Sequence, residues 1–64
     1  MKEKALRKLR KEFQKTYTID QQRQAKFFLD TWDSKTYTWT FHLDGHLVLW
    51  VYIYQTKTVL KCVY

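Results

Sequence analysis

Proline is absent from this 64-residue sequence, and glycine, cysteine and methionine occur once each. A chain with so little proline and glycine is neither a flexible linker nor a low-complexity disordered segment. The lone Cys62 excludes an internal disulfide and suits a reducing compartment. Gly45 stands alone, so there is no glycine-rich phosphate loop. The longest uncharged stretch, Gly45 to Thr56, is twelve residues, short of the roughly 20 a transmembrane helix needs. No apolar stretch follows the charged N-terminus as in an export signal. The expected location is the cytoplasm of a cell or of an infected host.

Acidic residues are also scarce: 6 Asp and Glu against 12 Lys and Arg, a net charge of +6. The excess is segregated. Residues 1–15 carry seven basic and two acidic side chains. Aromatics, at 19%, are abundant. They are the residues that dominate cores and interfaces. A chain this short buries only about 60% of its unfolded surface, so its core is marginal. The composition points to one small basic α+β domain, residues 1–64, that works by binding.

Residues 1–15 are strong helix formers. Leu6, Leu9 and Phe13 form a narrow apolar stripe at spacings of three and four. Lys4, Arg7, Lys8, Arg10, Lys11 and Lys15 make the rest of this helix an anion-seeking surface, for an acidic protein or a nucleic acid. Glu3–Arg7 is a favourable i,i+4 pair. Lys4–Lys8, Arg7–Lys11 and Lys11–Lys15 are unfavourable, by about 0.2–0.5 kcal/mol each.

Thr18 and Gln21 fit a capping box for a second helix over residues 20–33. Ala25, Phe28, Leu29 and Trp32 give it a helical stripe. A competing reading makes Lys26–Trp32 a strand with Asp33-Ser34-Lys35 as its turn. Gln21 to Lys26 is poor strand material, which favours the helix.

Residues 36–64 read as a three-stranded antiparallel meander. Thr36 to Leu43 alternates strictly, Asp44-Gly45 suits a two-residue type I′ turn, and Leu47 to Tyr54 is continuously apolar. That turn pairs residues 43 with 46, 41 with 48, 39 with 50 and 37 with 52. One face then carries Tyr37, Trp39, Phe41, Leu43, Val48, Trp50 and Tyr52. With residues 55–57 as a loop, Leu60, Cys62 and Tyr64 join it. The other face is aliphatic, with Leu47, Leu49, Val51, Ile53, Val59 and Val63, a threonine flank and Lys61.

Two short helices cover one face of such a sheet, unless they straddle it. The smooth aliphatic side is the expected seat for them. Tyr37, Trp39, Trp50 and Tyr52 are then left for a protein partner or a second copy. No catalytic, metal or cofactor constellation emerges. His42 and His46 project from opposite faces, and Cys62 reads as a buried, inert thiol.

His42 to Tyr64 resembles the last two strands of RelE-superfamily ribonuclease toxins: a histidine at a strand end, an acidic turn, an aromatic-aliphatic strand and a closing strand. That resemblance implies an mRNA-cleaving toxin. Because the sequence ends where several of those toxins carry active-site residues, it equally implies an inactive relative. The residues taken together favour a non-enzymatic regulator or inhibitor of the kind encoded by phages and mobile elements. Direct nucleic-acid binding through the basic helix is the alternative.

Overall fold

The computed structural model describes residues 2–64. Met1, included in the first helical segment above, lies outside the described residues. The elements are α1 (Lys2–Thr16), α2 (Ile19–Gln24), β1 (Lys26–Trp32), β2 (Thr36–Leu43), β3 (His46–Ile53) and β4 (Thr58–Val63). The strands form one antiparallel sheet in the order β1-β2-β3-β4. The α+β class and the meander are as expected, with a fourth strand added. Among the described residues no helix is long and apolar enough to cross a membrane.

The β2–β3 hairpin has the expected register, from Leu43↔His46 through Trp39↔Trp50 to Thr36↔Ile53. Asp44 and Gly45 both take positive φ, 52° and 77°, as a type I′ turn requires. The capping box also forms. The Gln21 amide donates to Thr18 Oγ1 at 3.2 Å, and the Thr18 amide donates to Gln21 Oε1 at 3.0 Å.

The helix expected over 20–33 is corrected: it stops at Gln24, and Lys26–Trp32 is a strand. Partners on β2 outweigh local propensity. Phe27 reaches Phe41 with ring centroids 4.8 Å apart and Trp39 at 5.1 Å. Trp32 stacks on Tyr37 at 5.8 Å and 16°. One irregularity interrupts β1. Phe27 pairs with Phe41 and Leu29 with Thr40, so Phe28 is an extra, bulged residue. Phe28 packs on the His42 ring at 4.9 Å, which puts Phe28 and Leu29 on the same side.

The choice of sheet face is corrected as well. α1 lies on the aromatic side, and Ala5, Leu9 and Phe13 share a core with Tyr37, Trp39, Phe41, Leu43, Val48, Trp50 and Tyr52. Burying large rings removes more apolar surface than burying Leu, Val and Ile. The rings also interlock: Phe13 lies edge-on to Trp50 at 5.8 Å and to Phe41 at 5.6 Å.

The third correction concerns β4. Its loop has four residues, Tyr54 to Lys57, closed by the Lys57 amide donating to Ile53 O at 2.8 Å, with Lys57 in the left-handed region at φ 56°. One more loop residue reverses the strand's faces. Val59, Lys61 and Val63 pair with Tyr52, Trp50 and Val48 on the α1 side, and Leu60 and Cys62 lie on the other.

Candidate functional site

On α1, successive residues turn by about 100°. With Ala5, Leu9 and Phe13 locked into the core, Lys4, Arg7, Lys8, Arg10, Lys11 and Lys15 fall on the outward arc, and all six are exposed. Among the described residues none of them lies within ion-pair distance of a carboxylate. Glu12 is half-buried on the flank and pairs instead with Lys61 of β4, Oε2 to Nζ 3.4 Å. Lys61 also donates to Thr16 Oγ1 at 3.2 Å and sits over the Trp50 ring, 4.8 Å from its centroid. It therefore clamps β4 to α1 and holds Glu12 away from the outward cations.

A shallow groove of about 270 Å³ runs between α1 and the β3–β4 loop. Its lining is Lys4, Arg7, Lys8, Lys11, Tyr52 and Lys57. Lys57 is the residue that sequence reasoning missed. Its place depends on the four-residue loop, and a lysine near a turn gives no signal of that length.

The four aromatic residues expected to be free are not. Tyr37 is 1% exposed, Trp39 7%, Trp50 0% and Tyr52 5%. Tyr17 stacks on Trp50 at 5.7 Å and 27°, so α1 and the segment after it roof the rings over. Tyr37 donates to Asp30 Oδ2 at 3.2 Å. Burial, aided by the Asp30 charge, pushes the Tyr37 hydroxyl above its ordinary pKa. These four side chains serve as core, and the aromatic surface expected to meet a protein partner or a second copy is closed.

The opposite face carries no helix. Leu47, Leu49, Val51 and Ile53 of β3 are half-buried there by their neighbours alone, and Leu29 and Leu60 are 52% and 53% exposed. Thr36, Thr38 and Thr40 form a lower column between β1 and β3. Cys62 is exposed on this face, which corrects the expectation of a buried thiol. Along the four strands this face holds one formal charge, Lys26, at a corner.

His42 and His46 point to opposite sides, as their pairing with Leu47 and Leu43 requires. His46 Nδ1 lies 3.3 Å from the carbonyl oxygen of Tyr64. Among the described residues no three His, Cys, Asp or Glu side chains gather as a metal site would need. The sequence offered two candidate surfaces, basic and aromatic. The structure exposes the first, closes the second and opens an aliphatic one behind it. Compared with models of known protein families, with curated proteins and with solved structures, the chain matches none.

Proposed function

We propose that this is a small non-enzymatic binding protein, a regulator or inhibitor whose α1 face engages an acidic surface on a protein partner. One observation carries the reading. Six cations occupy the outward arc of α1, and among the described residues no carboxylate lies within ion-pair distance of any of them. The helix retains its Lys4–Lys8, Arg7–Lys11 and Lys11–Lys15 repulsions, each about 0.2–0.5 kcal/mol. A complementary acidic partner relieves them and speeds encounter through its field.

A second reading, direct nucleic-acid binding, is favoured by Lys57. That residue closes a groove in which five cations surround one tyrosine, a setting that fits a phosphate backbone. With Trp39 and Trp50 buried, such binding rests on phosphates and lacks base stacking.

The experiment compares the parent with the quadruple variant Lys4→Glu, Arg7→Glu, Lys8→Glu, Lys11→Glu and with Lys57→Glu alone, which leaves the helix untouched. Proteins retained from nuclease-treated host lysate by the parent and lost by the quadruple variant support the first reading. Direct titrations of each captured protein against salt then follow. Binding to DNA or RNA whose log-affinity against log-salt slope falls by about 0.9 per lost duplex contact supports the second. Equal binding by all three proteins refutes both, leaving the basic face as a solubilising surface.

A further inference from the structure

We propose that the open aliphatic face is the seat of a second copy of this chain, in a two-fold dimer with the two sheets face to face. The basis is independent of what α1 binds.

The Cα atoms span 31 × 20 × 15 Å, the thickness of one helix layer on one sheet. Stable domains bury the apolar face of every layer against another. Here α1 satisfies one side of the sheet, and a second sheet at about 10 Å would satisfy the other. Four strands about 4.8 Å apart, each with six to eight residues of about 3.3 Å, present roughly 500 Å² in projection on each copy. Two copies therefore bury on the order of 1,000 Å², at the threshold of a specific interface.

The +6 of each copy sits mainly on α1, on the far side of the sheet. Stacking sheet to sheet holds the two basic faces apart by roughly 30 Å, several times the screening length of about 8 Å at physiological salt. Few other contacts between identical copies avoid that repulsion. The face itself offers an acidic or basic partner almost nothing to recognise.

Paired residues place Thr31, Thr38, Val51 and Leu60 in one row across the face, and Leu29, Thr40, Leu49 and Cys62 in the next. The β2 positions of both rows are threonines and the β3 positions are Val51 and Leu49; at the row ends Thr31 lies across from Leu60, and Leu29 across from Cys62. A two-fold axis parallel to the strands and between β2 and β3 sets each β3 over the partner's β2, and each β4 over the partner's β1. Leu49 then meets Thr40, Val51 meets Thr38, and Leu60 meets Thr31, large onto small. An axis across the strands would set each column on itself, Thr on Thr and Leu on Leu.

This geometry is tested by a charge swap. Within one chain Leu60 and Thr31 stand on opposite edge strands, three strand spacings or about 14 Å apart, so they meet only between copies. Sedimentation equilibrium of the parent is expected to show a dimer. Leu60→Glu alone and Thr31→Lys alone are each expected to weaken it by about tenfold or more, and the double variant to restore it, because opposite charges then face each other twice. The shielded fluorescence of Trp39 and Trp50 verifies that each variant is folded. A parent that stays monomeric up to about 1 mM overturns the proposal and leaves the face to a different protein. So does a dimer that both single variants leave intact. Loss in the single variants without rescue in the double overturns the assigned axis.

Discussion

The carboxylate of Asp33 closes the β1–β2 turn by accepting from the Lys35 amide at 2.7 Å and the Thr36 amide at 2.8 Å. Those two bonds hold its pKa below the ordinary carboxylate value, with the nearby Lys35 and Thr36 side chains helping. Around pH 4 the unfolded chain binds more protons at this site than the folded one. Asp33's contribution is complete above that value and is lost as pH falls through the lower folded-state pKa. Asn at this position keeps an acceptor oxygen and drops the charge. In urea titrations the stability gap between the parent and Asp33→Asn is therefore expected to be widest near neutrality and to close below about pH 4. An unchanged gap would mean that the turn does not draw on the charge. Asp44 and Gly45 show the same dependence of fold on single residues, and theirs was legible in advance, because few dipeptides accept two positive φ values. Asp33 was named only as part of a competing turn, since an aspartate that follows a helix-like stripe gives no signal of whether a helix or a strand stops there.

α1 is held by a few side chains of unequal weight. Phe13 touches Tyr17, Phe27, Trp39, Phe41 and Trp50 with centroids 5.1–6.1 Å apart. Phe13→Ala is expected to cost about 3–5 kcal/mol, much of the stability of so small a domain. Lys15→Ala, on the outward arc, is expected to stay within about 0.5 kcal/mol. Denaturant unfolding followed by tryptophan fluorescence checks both. Among the elements, those with local signals were readable: the helical stripe of α1, the Thr18–Gln21 box and the alternation of β2. The segment 26–32 was not, because Ala25, Phe28, Leu29 and Trp32 repeat like a helix, while what decides the strand is its pairing with β2, from Trp32 with Tyr37 out to Lys26 with His42. The face under α1 was misjudged because both sides of β3 are apolar, and periodicity ranks neither. β4 was misfaced by one residue of loop length. The first two misses are tertiary contacts overruling a local pattern, and the third is a turn whose length the local sequence does not announce.

Taken whole, the molecule is a slab with unlike sides. Cations line its helical surface, aromatic rings fill its middle, and Leu, Val, Ile and Thr pave its back. The sequence disclosed the presence of all three groups and the position of the first; the order of the other two required the fold. The bulge at Phe28 gives this slab an unexpected relation to its own length. Lys26 and Phe27 pair on one side of it, and Leu29 to Trp32 on the other, with partners consecutive along β2. Removing Phe28 joins the two stretches into one regular strand, with Phe27, Asp30 and Trp32 still on the α1 side. An in-frame loss of one codon inside a strand ordinarily turns everything beyond it inside out, and loss of Val51 from the unbulged β3 is expected to do so and to unfold the protein. Loss of Phe28 is expected to keep the melting midpoint within about 5 °C of the parent, roughly 1 kcal/mol at this size. The gene would then tolerate a length change in the midst of a sheet, at a position where one optional residue adds an aromatic ring to the outer face.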